Sequence, residues 1–252
     1  MAAVIKGKVA DRLDLSEIRS QFPATVANFA ALPDREKWLK RIAELDSRWK
    51  QSQEANAFSS QTEVLVKGNP PFDLAPEAEF EIIYAGGTLG LLHAAVMAAK
   101  YGRKVLVFDA HTVARTHRDW NISDEELTEF DRAGLFTRDE LEQAVVNRYK
   151  TGFVKFHDAN SRLKTPKLFM DGVLDVAIEA DSLLQLAAAK LRNTDTSSIL
   201  ISNLKFVRAY VKPDRVFVET EDLKTGKRRL FASRLFVDAT GTNSSVSRQI
   251  ND

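Results

Sequence analysis

Residues 80–109 read FEIIYAGGTLGLLHAAVMAAKYGRKVLVFD, and this stretch decides the fold. Phe80–Ala85 is a short apolar run fit for a buried strand. Gly86, Gly87 and Gly90 mark a turn. Leu91–Tyr101 is rich in Ala and Leu with a single Lys, as suits a helix packed on a sheet, and Gly102 ends it. Lys104–Asp109 is a second buried strand. Strand, glycine turn, helix and strand in direct succession make a βαβ unit.

Upstream of this unit the chain reads as helical and peripheral. Trp38, Ile42, Leu45 and Trp49 share one face of a helix, and the remaining positions are charged or polar. Residues 1–50 are therefore expected to form a helical extension with a packing or docking role. Residues 51–79 read as a linker: QSQEANAFSSQT at 51–62 is polar, and Asn69-Pro70-Pro71 breaks regular structure.

Downstream, Ser123 with Glu126 and Thr137 with Glu140 are capping boxes that open two short helices. Residues 150–178 are mixed, with a strand expected at Phe153–His157. Ser182–Arg192 has helical periodicity, with Asp181 placed to cap it. Leu204–Val211, Arg215–Thr220 and Arg228–Ser233 read as an antiparallel meander, turned at Pro213-Asp214 and Lys224-Thr225-Gly226. Leu235–Ala239 is a further buried strand, followed by Thr240-Gly241. Residues 80–252 thus form one α/β domain.

Composition narrows the chemistry. The chain has 252 residues, 44% of them hydrophobic, enough for a real core. It has no cysteine, which removes disulfides, thiolate metal sites, cysteine nucleophiles and dithiol redox pairs. Any redox role must come from a bound cofactor. A net charge of +1 argues against bulk electrostatic binding of nucleic acid. No apolar run approaches the roughly 20 residues of a membrane span, and residues 1–20 show no secretory signal.

The glycine turn matches the dinucleotide fingerprint G-x-G-x-x-G in the register Ala85-Gly86-Gly87-Thr88-Leu89-Gly90. The second glycine of that pattern lets backbone approach a pyrophosphate, and the third lets helix and strand pack closely. The helix N-terminus offers free N–H groups and a positive dipole end. Asp109 ends the second strand at the distance from the glycines that the fingerprint sets for its acid, and suits hydrogen bonding to ribose hydroxyls. Ala85 replaces the first glycine, which is tolerable where the backbone is not left-handed.

The second glycine site is Leu235-Phe236-Val237-Asp238-Ala239-Thr240-Gly241, followed by Ser244, Ser245 and Arg248. A meander, then a strand ending in this turn, resembles the FAD-binding part of the flavoproteins with two dinucleotide-binding domains. That group includes p-hydroxybenzoate hydroxylase, geranylgeranyl reductase and lycopene cyclase. GGTLG and Trp120-Asn121-Ile122-Ser123 also resemble a lycopene-cyclase-like plant and cyanobacterial branch. The resemblance covers about residues 79–250. It implies a Rossmann-like fold: a parallel sheet with helices on one face and a three-stranded antiparallel meander on the other.

The resemblance implies FAD as cofactor, held by Ala85, Gly86, Gly87, Thr88, Gly90, Asp109, Asp238 and Gly241. Arg115 or Arg118 would lie near the phosphates or flavin, and Val207 would place backbone near the adenine. It also implies a small-molecule substrate, with an apolar or isoprenoid compound suggested by the branch. The compartment implied is a plastid stroma or a cytoplasm, with the protein soluble. Members carry a third, Gly-Asp motif well beyond the second glycine turn. The chain ends at Asp252, soon after Gly241, so it is expected to be the N-terminal portion of a longer flavoprotein.

Other chemistry is thin. His93, His111, His117 and His157 lack metal-site spacing. Glu125-Glu126 and Asp139-Glu140 sit in first turns, where the helix dipole accounts for them. Lys227-Arg228-Arg229 lies beside a hairpin turn. The leading expectation is an FAD-dependent oxidoreductase. Its rivals are a flavin-dependent isomerase without net redox change, a nicotinamide-dependent dehydrogenase with further βα units after residue 200, and a non-catalytic protein of the same fold.

Overall fold

The computed structural model describes residues 15–57, 63–116, 118–156, 160, 166–242 and 244–251. They fall into two compact units divided between Thr62 and Glu63. Residues 1–14 of the expected N-terminal extension lie outside the described residues.

The first unit is helical: α1 (Leu15–Gln21), α2 (Pro23–Phe29) and α3 (Arg35–Ala57). Pro23 opens α2, where its missing N–H costs no helical bond. The stripe read on α3 is largely exposed, with Trp38 at 45%, Leu45 at 47% and Trp49 at 63%, and Leu39 is the buried side chain instead. Among the described residues of this unit, α3 packs against α2, which is seven residues long beside the 23 of α3. The stretch read as a linker is divided. Residues 51–57 continue α3, residues 58–62 lie outside the described residues, and Leu65–Lys67 forms strand β1.

The second unit is built on a seven-stranded sheet. Its strands are β1, β2 (Glu79–Ala85), β3 (Val105–Asp109), β9 (Ile199–Ser202), β10 (Leu204–Val211), β11 (Val216–Asp222) and β12 (Arg228–Asp238), in the order β1-β10-β11-β12-β2-β3-β9. Between β3 and β9 the chain forms β4 (Trp120–Ile122), α5 (Asp124–Arg132), α6 (Arg138–Glu142), β5 (Val145–Arg148), β6 (Gly152–Val154), β7 (Leu168–Met170), β8 (Val176–Ile178) and α7 (Ala180–Arg192). Helix α4 (Leu89–Tyr101) joins β2 to β3, and α8 (Ser245–Asn251) follows β12. Strands β4, β8 and β5 form a small antiparallel sheet, and β6 and β7 form a separate hairpin.

In the parallel block β12-β2-β3-β9 the central strands β2 and β3 are buried on both faces, as their near-continuous apolar sequences require. Alternation divides their side chains. Ile82, Tyr84, Val105 and Val107 face α4 and α7, whereas Ile83, Ala85, Leu106 and Phe108 meet Leu204, Val218 and Phe231 of the meander. This is the expected α/β arrangement, with helices on one face and an antiparallel layer on the other. Because β10, β11 and β12 are antiparallel, the chain after residue 200 is not the βα repeat that a nicotinamide dehydrogenase half requires.

Several boundaries differ from expectation. The third meander strand and the strand into Asp238 are one eleven-residue strand, β12, which pairs with β11 over its first half and with β2 over its second. Strand β9 adds to the expected elements, because only Asn203 separates it from β10; that residue turns the corner at φ +60. Strand β6 ends at Val154 rather than residue 157, and His157 lies outside the described residues.

Both capping boxes form, with Ser123 and Thr137 accepting from the N–H groups of Glu126 and Glu140. Asp181 does not cap α7, which starts at Ala180, two residues before the expected Ser182, behind the N-cap Glu179. At the sheet edge, Gln249 reaches β1: its Oε1 accepts from the N–H groups of Val64 and Leu65 at 2.7 and 2.8 Å, and its Nε2 donates to the Leu65 carbonyl at 2.8 Å.

Replacing Gln249 by Ala is expected to cost about 1–2 kcal/mol of unfolding free energy, by leaving part-buried backbone groups without these partners. Urea denaturation measures the loss, and hydrogen exchange should speed up at Leu65. Equal exchange in parent and variant would remove Gln249 from any role at the edge.

Candidate functional site

Strands β12, β2 and β3 are neighbours and end level with one another: Asp238 pairs with Ala85, and Ala85 with Phe108. Their carboxyl ends therefore release three loops at one place, the position where open α/β sheets bind ligands. Gly86 N–H donates to the Phe108 carbonyl at 2.8 Å, and Ala239 N–H to the Ala85 carbonyl at 2.8 Å. Between the loops lies a cavity of about 350 Å³, lined by Ala85, Gly86 and Thr88, by Asp109, by Thr240 and Gly241, and by Phe206 of the meander.

The glycines have separate jobs. Gly86 has φ +127, and a Cβ there would lie 2.1 Å from the Ala239 carbonyl oxygen. A Cβ on Gly90 would lie 2.8 Å from the Ala239 methyl. The two glycine sites thus pack directly against each other. Gly87 has ordinary φ, with Val113 Cα 3.0 Å and Asp109 Cβ 3.1 Å from a would-be Cβ. Gly241, at φ +89, faces open space. Ala85 is fully buried in extended backbone, so its methyl is accommodated as core. Thr88 is the N-cap of α4 but makes no side-chain cap, so the first N–H groups of this helix are left for another acceptor.

The acids order the loops. Asp109 accepts from Gly87 N–H at 2.7 Å and from His111 N–H at 2.8 Å, so its carboxylate is fixed at the cavity wall. Asp238 accepts from the Thr240 N–H at 3.1 Å and hydroxyl at 2.6 Å, and also from the Ser244 hydroxyl. It shapes the Gly241 turn and is not itself on the cavity wall. Asp181 accepts from Thr116 N–H at 2.5 Å and pairs with Arg115 at 2.7 Å, which ties the loop after β3 to the start of α7. Together the Thr116 N–H and the Arg115 guanidinium hold the Asp181 carboxyl below its ordinary range.

The two arginines and Val207 lie off the cavity wall. Arg115 is engaged with Asp181, and Arg118 is exposed, with its N–H donating to the Thr116 hydroxyl at 3.3 Å. Val207 falls where the β10–β11 register shifts, between Phe206 and Arg208, and the wall there is Leu204, Lys205 and Phe206. Sequence reasoning misses Phe206, which stacks on Phe236 at 5.2 Å; the available signal is its position just beyond the corner at Asn203. The Tyr84 hydroxyl and His93 Nδ1 share a hydrogen bond of 2.8 Å, and burial pushes the Tyr84 hydroxyl up to about 12. His117 lies outside the described residues. Among the described residues, no group of three His, Cys, Asp or Glu could hold a metal ion.

Gly86→Ala is expected to destabilise the fold by about 3 kcal/mol or more, since the added methyl meets backbone in a left-handed conformation. Gly241→Ala should cost only about 1 kcal/mol, the backbone strain alone. Chemical denaturation compares them, and equal losses would refute the packing role of Gly86. For Asp181, the depressed carboxyl makes its contribution complete at neutral pH and fading as pH falls below about 4. The melting difference between the parent and Asp181→Ala should therefore shrink between pH 7 and pH 3; a gap that stays constant would assign the loss to packing.

The chain matches no family model and no curated protein sequence. Solved structures do resemble it. The flavin-dependent monooxygenase PieE, in complex with FAD and substrate, superposes with a TM-score of 0.56 at 19% identity, over 70% of this chain and 33% of that one. p-Nitrophenol 4-monooxygenase PnpA from Pseudomonas putida DLL-E4 superposes with a TM-score of 0.51 at 19% identity, over 69% of this chain and 44% of that one. The chain thus corresponds to less than half the length of either enzyme, and its α/β fold is the one that part of each adopts.

Proposed function

We propose that this chain is the FAD-binding portion of a flavin-dependent oxidoreductase acting on a small-molecule substrate. One observation carries the reading: the glycine turn, an uncapped helix N-terminus, Asp109 and the Gly241 turn all border a single cavity. The residues fit the group. Gly86 lets the two turns meet at Ala239, Gly241 holds a backbone conformation that a side chain would strain, and the first N–H groups of α4 suit a pyrophosphate. The cavity volume, near the low end of ligand pockets at about 300–1,000 Å³, suits the adenosine diphosphate half of FAD. Asp109 keeps acceptor capacity beyond its two backbone bonds for ribose hydroxyls. Lys205 and Phe206 border the same space on the meander side.

The flavin would supply the electron chemistry, and the protein would bind and orient it. The likeness of fold to the flavin-dependent monooxygenase PieE and to the monooxygenase PnpA supports an FAD-binding oxidoreductase. GGTLG and Trp120-Asn121-Ile122-Ser123 support the finer reading, a lycopene-cyclase-like branch acting on an apolar substrate, for which an isomerase without net redox change is the second reading. That branch also supports a plastid stroma or a cytoplasm as the compartment. Among the described residues, no helix is long and apolar enough to cross a membrane.

Titration of the purified chain with FAD tests the proposal. Quenched flavin fluorescence and a retained yellow chromophore after gel filtration are expected. Asp109→Ala should weaken binding about tenfold or more, while circular dichroism stays that of a folded α/β protein. A folded parent chain that retains no flavin would overturn the assignment.

A further inference from the structure

Ala114, in the loop after β3, is fully buried and left-handed at φ +61. That conformation disfavours alanine, because its Cβ crowds the following carbonyl. Such strain persists where the surroundings over-determine it, and it collects at ligand clamps. The surroundings here are side chains of β9 and α7. Val113 N–H donates to the Ser202 hydroxyl at 3.0 Å. Asp181 takes the Thr116 N–H and the Arg115 guanidinium. Between these two ties, the Nε2 of Gln185, from the middle of α7, donates to the Ala114 carbonyl at 2.7 Å.

The residue so held sets the direction of a peptide unit in the glycine turn. Ala114 N–H donates to the Gly87 carbonyl at 2.9 Å. A trans peptide unit is planar, with its C=O and N–H on opposite sides. With the Gly87 carbonyl turned to Ala114, the Thr88 N–H of the same unit points away from that loop. Thr88 is the N-cap of α4 and borders the cavity between the glycine turns. Its N–H therefore joins the donors that a helix start leaves for a ligand. Gly87 directs its own two polar groups elsewhere: its N–H goes to Asp109 at 2.7 Å and its carbonyl to Ala114.

We propose that Gln185 is a positioning residue for the dinucleotide. By holding Ala114 left-handed, it keeps the Gly87–Thr88 peptide turned so that the Thr88 N–H is presented to the pyrophosphate. The proposal rests on the flavin reading of the cavity and adds to it a residue of α7 that acts through Ala114 and Gly87. Without the Gln185 amide, Ala114 relaxes toward negative φ and draws its N–H off the Gly87 carbonyl. The Gly87–Thr88 peptide is then free to rotate, and a preorganised phosphate donor becomes one that must be ordered on binding.

Calorimetric titration of the full chain with FAD tests this in the parent, in Gln185→Leu, in Ala114→Gly and in the double variant. Gln185→Leu should bind about tenfold or more weakly than the parent, as fits the loss of one hydrogen bond to a charged group. In the Ala114→Gly background the same substitution should weaken binding only about twofold, because glycine populates the left-handed region about as readily as the right-handed one. Hydrogen exchange supplies a readout without ligand: the Ala114 amide should exchange faster in Gln185→Leu than in the parent. Circular dichroism checks the fold, and Gln185→Glu, which keeps the side-chain length and removes the donor, takes the place of Gln185→Leu if that variant unfolds. An equal loss of affinity in both backgrounds overturns the proposal, since a Gln185 that only stabilises α7 would give it. Parent-like affinity or parent-like Ala114 exchange in Gln185→Leu overturns it as well, and leaves the flavin reading standing. A folded parent that binds no FAD overturns that reading, and this proposal with it.

Discussion

The contact between Gly86 and Ala239 is the constraint on which the site depends. These residues are far apart in the sequence, yet the space where Gly86 would carry a Cβ is taken by the Ala239 carbonyl. Gly90 makes room for the Ala239 methyl in the same way. Close approach lets Ala239 N–H bond the Ala85 carbonyl and brings the ends of β2 and β12 level. A side chain at residue 86 would force the two turns apart and open the cavity between them. Glycine therefore serves here first as a packing element between two loops of the protein, and second as a surface for a ligand.

Around that contact, short-range polar bonds hold the loops. Asp109, Asp181 and Asp238 each accept from a backbone N–H in a loop: Gly87 and His111, Thr116, and Thr240. Gln185 adds a bond from its Nε2 to the Ala114 carbonyl at 2.7 Å, steadying a residue at φ +61. Loop backbone near a binding cavity has no sheet partner, so carboxylates and amides of neighbouring elements replace the ladder. The result is a preorganised wall, which lowers the ordering cost of binding.

Much of this is legible in the sequence because it rests on local periodicity. The βαβ unit, both capping boxes and the meander follow from spacing and from turn residues such as Gly102 and Pro213-Asp214. What stays hidden depends on three-dimensional company. No local pattern reveals that β12 changes partners midway from β11 to β2. Asn203 reads as one more polar residue before a strand, but its left-handed backbone separates β9 from β10 and turns the chain from the parallel block into the meander. The fingerprint draws attention to Gly87 and Gly90, whereas the residue with the least steric tolerance is Gly86, whose constraint comes from the loop after β12. Arg115 reads as available for phosphate because nothing nearby in sequence shows that Asp181 claims it.

The reach of Gln249 to β1 has a consequence for how the molecule behaves among its own copies. Strand β1 is at one end of the seven-stranded order, and an open strand edge is a template for pairing with another chain. The Gln249 amide presents one acceptor and one donor, as a peptide unit does, and takes the Val64 and Leu65 N–H groups together with the Leu65 carbonyl. A single side chain thus imitates one residue of an eighth strand without being able to continue it. At the β1 end, the sheet meets a group that takes the Val64 and Leu65 bonds and propagates none, a local stop against edge-to-edge growth there.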